Sequence, residues 1–213
     1  MRILLYLAVL LCLAIPVAAQ PTLIVTLGDS NFDTPGLTDW EMYAARLEKA
    51  LKAKGHAVAV KNAGIRGDTT QGVLNRLDND VPPEARIALL SIGVNDALVA
   101  KISRETIAAN LRTIVSRLRA RHVELLIFGI GNPTAPDCCA GRQLAENTGS
   151  LFYPNFQYGV VEDVSLHVEK FRPGAANFGT RAATAWHLNA AGNDYVVGQT
   201  LPLVERLLAR VAP

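Results

Sequence analysis

Apolar residues fall into two alternating patterns along this chain. The first is the short, nearly unbroken run: Thr22 to Leu27, Ala57 to Val60, Arg86 to Ile92 and Val123 to Phe128, with a brief fifth at Leu151-Phe152-Tyr153. Runs of this length without polar alternation predict strands buried on both faces. The second pattern is helical. Thr38-Asp39-Trp40-Glu41 reads as a capping box that opens a helix to about Lys54, stopped by Gly55. Trp40 and Tyr43 read as packing residues of that helix. Ser103 can cap a helix whose Ile107, Leu111, Ile114, Val115 and Leu118 recur at helical spacing. Asn189 can cap a last helix that reaches Arg210, with a kink expected at Pro202. Strand and helix in alternation predict an α/β fold, a parallel sheet with helices on both faces. Between Asn132 and Thr184 the periodicity is poor, and that stretch reads as a substrate-side wall.

The first residues follow neither pattern. Met1-Arg2 is a basic start, Ile3 to Ile15 an apolar run, Pro16 a break, and Val17-Ala18-Ala19 a run of small residues. This predicts a secretory signal peptide over residues 1–19, cleaved after Ala19, and hence a secreted or periplasmic protein with one domain over residues 20–213. The run is short for a membrane span. Cys12 follows Leu10-Leu11 rather than the small residues of a lipoprotein signal.

Charge changes the picture only by exclusion. The net charge of +2 is spread along the chain, and no basic block points to nucleic acid. Cys138 and Cys139 are adjacent, and no further Cys or nearby His completes a zinc pattern, so they read as loop residues.

The candidate chemistry gathers where a parallel sheet presents it, beyond the carboxyl ends of the strands. Gly28-Asp29-Ser30 follows the first strand. Gly64-Ile65-Arg66-Gly67-Asp68-Thr69-Thr70 follows the second, Gly93-Val94-Asn95-Asp96 the third, and His187-Leu188-Asn189 precedes the last helix. Acyl transfer needs a nucleophile, a base and donors aimed at an oxyanion. Ser30 suits the first role and His187 the second. The backbone N–H groups of Ser30 and Gly67, with the Asn95 amide, suit the third. Asp29 and Asp96 read as loop-holding carboxylates.

These four blocks, in this order, resemble the SGNH hydrolases of the GDSL esterase/lipase family, above all bacterial arylesterases and thioesterase/lysophospholipases. Asn62 to Thr70 matches its block most closely. Asn31 stands where Leu is usual, and Leu188 where Pro is usual. The resemblance implies a three-layer α/β/α sandwich on a parallel five-stranded sheet, flavodoxin-like in type. It implies a serine esterase with no metal and no cofactor, whose partner is a small-molecule acyl, aryl or lipid ester, membrane lipids included.

One departure bears on mechanism. The family's last block reads Asp-x-x-His, and here Thr184 stands three residues before His187. Disabling the orienting Asp of a serine protease costs about 10⁴ in rate. A nearby helix N-terminus also disfavours a charged His187. Three outcomes stay open. The Thr184 hydroxyl or a backbone carbonyl orients His187; a displaced carboxylate (Glu162, Asp163 or Asp194) does so; or activity is impaired. Beside the acyl esterase stand two alternatives: a carbohydrate O-acetylesterase on the same scaffold, and a binding module that kept the pocket.

Overall fold

A computed structural model describes residues 20–130, 141–160, 163–168 and 187–212. Five parallel strands form one sheet: β1 (Thr22–Gly28), β2 (Val58–Gly64), β3 (Ala85–Ser91), β4 (Glu124–Phe128) and β5 (Leu151–Tyr153). Their order is β2-β1-β3-β4-β5, so the chain reverses its direction of travel across the sheet after β2. Such a reversal opens a crevice at the carboxyl ends of the two strands beside it, here β1 and β3. The fold is the α/β sandwich expected from the sequence.

Why the strand runs are unbroken is visible in what each face meets. Val25, Leu27, Ala88, Leu90, Leu125 and Ile127 pack on one side with Val73, Leu77, Ile107, Leu111, Ile114 and Leu118. Ile24, Ile87, Leu89, Leu126 and Phe128 pack on the other with Tyr43, Leu47, Leu51, Val196, Val204 and Leu207. Alternate residues of one strand therefore enter two different cores, and the polar side chains buried among them, Thr26 of β1 and Ser91 of β3, are hydrogen-bonded to Asn62 and Asn31.

Among the described residues the helices are α1 (Tyr43–Ala53), α2 (Thr70–Asp80), α3 (Val94–Leu98), α4 (Arg104–Ala120), α5 (Gly141–Thr148) and α6 (Ala190–Val211). Ser103 and Asn189 cap α4 and α6 as read from the sequence, through bonds to the N–H groups of Thr106 and Gly192. α6 passes through Pro202 as one helix. Pro202 and Gly198, the residue whose carbonyl the proline cannot pair, both lie on the solvent face, so that carbonyl is not buried unpaired.

Three expectations need correction. The Thr38–Glu41 box opens only a 3-10 turn, Asp39–Glu41, and extended Met42 separates it from α1. Trp40 is therefore 71% exposed rather than packed, whereas Tyr43 is fully buried. Within the stretch 132–184 the described residues include a helix that the sequence did not predict, α5, its short amphipathic turn resting on Gly141 and Ala145. The candidate signal peptide, Cys138, Cys139, Glu162 and Thr184 lie outside the described residues.

Candidate active site

Ser30 stands two residues past the end of β1, in a turn held from several directions. The Asp29 N–H donates to the Ser91 carbonyl at 3.3 Å, and the N–H groups of Phe32 and Asp33 donate back to the Asp29 carbonyl, both at 3.1 Å. The Asp29 carboxylate accepts the Asn31 N–H at 3.0 Å. The Asn31 amide donates to Ser91 Oγ at 3.0 Å, which gives a physical role to the residue that departs from the family's Leu. Phe32, fully buried, anchors the turn in an aromatic cluster with Tyr43, Phe128 and Phe156, ring centroids 5.4–5.9 Å from its own. Asp29 is fully buried, and burial, joined by the charges of Asp68 and Asp96, pushes its carboxyl up to about 7 against the pull of the Asn31 N–H.

Gly28 has a steric reason to be glycine. A Cβ there would sit 2.0 Å from the Ser91 carbonyl oxygen, on a neighbouring backbone that cannot rotate away. Gly28→Ala should cost about 1–3 kcal/mol or more through overpacking. Since the shift propagates to Ser30, turnover should fall in the protein that still folds. Chemical denaturation followed by kinetics on the folded fraction checks both effects.

The loop after β2 lies beside this turn. The Ile65 N–H donates to the Gly28 carbonyl at 3.0 Å. Gly67 has φ +74, and nothing lies within 4 Å of where its Cβ would be. Its glycine thus answers to left-handed backbone rather than to crowding. Arg66 reaches across to Asp33, with Nε on its carbonyl and Nη2 on its carboxylate, each at 3.0 Å.

Asn95, in α3 after β3, donates from Nδ2 to the Asp68 carbonyl at 2.9 Å. The neighbouring Asp96 is buried and accepts the Thr70 N–H and hydroxyl, while Asn110 of α4 donates to that hydroxyl at 2.9 Å. Asp29 and Asp96 thus hold loops, as read from the sequence. The structure brings the segments of Ser30, Gly67 and Asn95 into one bonded group at the carboxyl ends of β1, β2 and β3.

One residue binds this group that the sequence analysis missed. Arg76 of α2, with its side chain 15% exposed, donates to the carbonyls of Gly28 (3.0 Å) and Ala63 (2.8 Å), and pairs with Asp68 (2.8 Å) and Asp80. A single guanidinium therefore fastens the ends of β1 and β2 to the Gly67 loop, using the planar fork that lysine lacks. The available signal was its place between Val73 and Leu77 on a buried helix face.

His187 is held by backbone. Its carbonyl accepts the Val168 N–H at 3.0 Å, and the Asn189 N–H donates to the Leu166 carbonyl at 2.9 Å, around an antiparallel bridge of His167 with Leu188. The Asn189 amide adds bonds to the carbonyls of Ser165 and His167. Leu188, in the position where the family has Pro, is buried in the α1–α6 core. Burial lowers the His187 pKa below its ordinary 6.5, and the charges of Arg66 and His167 push the same way. Arg66 thereby connects His187 electrostatically to the Gly67 loop. Of the carboxylates weighed as partners for His187, Asp194 pairs instead with Arg46 at 3.2 Å on the outside of α6. The exposed Asp163 carboxylate accepts from Ser165, and its carbonyl bonds His167 Nδ1 at 2.8 Å.

Comparison with known proteins points to the same fold. The chain is 34% identical to Esterase TesA of Pseudomonas aeruginosa over 117 residues, 54% of this chain and 57% of that protein, so the likeness spans a little over half of that relative's length. A crystal structure of TesA superposes with a TM-score of 0.72 at 23% identity, covering 87% of this chain and 99% of that one, which shows a shared fold. The crystal structure of AlinE4, an SGNH-hydrolase family esterase, matches with a TM-score of 0.65 at 26% identity over 89% of this chain and 97% of that one. The model of the GDSL-like Lipase/Acylhydrolase family matches residues 26–195, from within β1 into α6 and through every segment of the site, and the chain belongs to that family.

Proposed function

We propose that this chain is an exported serine hydrolase of acyl esters. Ser30 Oγ adds to the ester carbonyl carbon while His187 takes its proton. The carbonyl oxygen becomes an oxyanion, met by the N–H groups of Ser30 and Gly67 and by the Asn95 amide. As the C–O bond breaks, His187 returns the proton to the leaving alkoxide. Water then adds to the acyl-serine, His187 takes and returns its proton, and the acid leaves. The observation that carries this reading is the bonded group at the ends of β1, β2 and β3. One Asn95 Nδ2 hydrogen is used on the Asp68 carbonyl, and the other remains for the oxyanion. A base acts as its neutral form, so a lowered His187 pKa keeps it competent near neutral pH. Export rests on the pattern of Met1 to Ala19.

A fluorophosphonate probe tests the nucleophile directly. Covalent labelling should map to Ser30 by peptide mass spectrometry. Labelling elsewhere, or none, overturns the assignment. Rates on acetyl, butyryl and long-chain esters then assign the acyl length.

The pH profile follows from the His187 environment. Protonation removes the base as pH falls through its pKa, so the acid limb of kcat/KM should have its midpoint below 6.5. Arg66→Gln removes one cause of the lowering and should move that limb upward. A wild-type midpoint at or above 6.5 would mean that a carboxylate supports His187 after all.

A further inference from the structure

Of the seven exposed large apolar side chains among the described residues, Trp40, Tyr158 and Tyr195 stand apart, and three fall within one short segment. Leu98 is 62% exposed, Val99 74% and Ile102 38%, all within five residues joining α3 to α4. Ile65, 48% exposed, adds a fourth on the Gly67 loop. The join is rigidly presented. The N–H groups of Val99 and Ala100 donate to the Asn95 carbonyl at 3.0 and 2.9 Å, and that of Ile102 to the Asp96 carbonyl at 2.8 Å. Lys101 sits at φ 52, a left-handed conformation that is uncommon for a non-glycine residue. From Ala97 to Arg104 there are two basic residues, Lys101 and Arg104, and the exposed carboxylate that follows, Glu105, is bonded back to Ser103 at the start of α4. Apolar tips beside cations, hung from the residue assigned to the oxyanion, match a surface with acyl chains beneath an anionic headgroup layer.

We propose that residues 98–104 dock on an anionic lipid surface, Leu98 and Val99 entering the acyl boundary while Lys101 and Arg104 meet lipid phosphates. The inference rests on the ester hydrolase reading and narrows its substrates to esters held in or at a membrane. Docking places the lipid layer beside Asn95, and an ester lifted from it has a short path to Ser30.

Co-sedimentation with phosphatidylcholine vesicles, with and without phosphatidylglycerol, tests it. The purified protein should bind the anionic vesicles, and salt should weaken the binding. Each basic residue near such a surface contributes about fivefold, so Lys101→Glu with Arg104→Glu should cost tenfold or more on this scale. Leu98→Ser with Val99→Ser should cost about a hundredfold or more. Both pairs should hydrolyse soluble p-nitrophenyl acetate at the wild-type rate, which shows that they fold. Ser30→Ala should bind vesicles normally while losing turnover. If Ser30→Ala keeps full hydrolysis, the ester hydrolase reading fails and docking is judged on sedimentation alone. Absent binding, or equal binding by all variants, overturns the proposal. So does self-association in gel filtration that the Leu98/Val99 pair abolishes without any vesicle binding, which would assign the patch to a second copy.

Discussion

Ser30→Ala should reduce hydrolysis of p-nitrophenyl butyrate to near background. Removing the nucleophile of a serine hydrolase costs about 10⁶ in kcat, and the residual rate comes from the oxyanion site and binding alone. The substitution deletes one oxygen at a half-buried position whose backbone is held by other groups. The Ser30 carbonyl accepts the Thr34 hydroxyl at 3.1 Å, and the turn rests on Asp29, Asn31 and Phe32. Thermal stability should therefore stay close to wild type while activity disappears, which separates chemistry from folding. Turnover that survives in the variant would assign the nucleophile elsewhere.

Asn95→Ala should lower kcat by about 10²–10³ with a small change in KM, the signature of a donor that acts on the transition state more than on the bound ester. The same change removes the bond to the Asp68 carbonyl, so a structural loss has to be told apart from a catalytic one. Asn110→Ala provides the control. It removes a bond to the Thr70 hydroxyl in the same network without touching the oxyanion. Its kcat should fall far less than that of Asn95→Ala at comparable stability. Equal losses in the two variants would make Asn95 a loop support only.

Arg66 and Arg76 illustrate how much of the site escapes motif reading. Both lie in or next to a recognisable block, yet what they do depends on partners distant in sequence. Arg76 meets Gly28 across 48 positions, and Arg66 meets Asp33 across 33. A guanidinium's donors are satisfied by whichever carbonyls the fold brings within reach, and those carbonyls leave no trace in composition or periodicity. The same holds for α2. Its apolar face is Val73, Leu74 and Leu77 among polar residues, a thin stripe to read without the sheet it covers.

Local chemistry determined the rest. The unbroken apolar runs of β1, β3 and β4, the caps at Ser103 and Asn189, and the glycines bounding each strand specify their elements wherever they stand, because burial on two faces and an unpaired helix N–H impose residue types directly. The motif blocks likewise placed Ser30, Gly67, Asn95 and His187 at strand ends and before the last helix. Only the tertiary structure decided the strand order, the aromatic support beneath Ser30, and the exposure of Trp40 that its capping box concealed. Only the tertiary structure set the electrostatic surroundings of His187, in which burial, Arg66 and His167 act together. Each of these is a relation between segments far apart in the chain. Such relations depend on distance and dielectric in three dimensions, which neighbouring residues in a sequence do not encode.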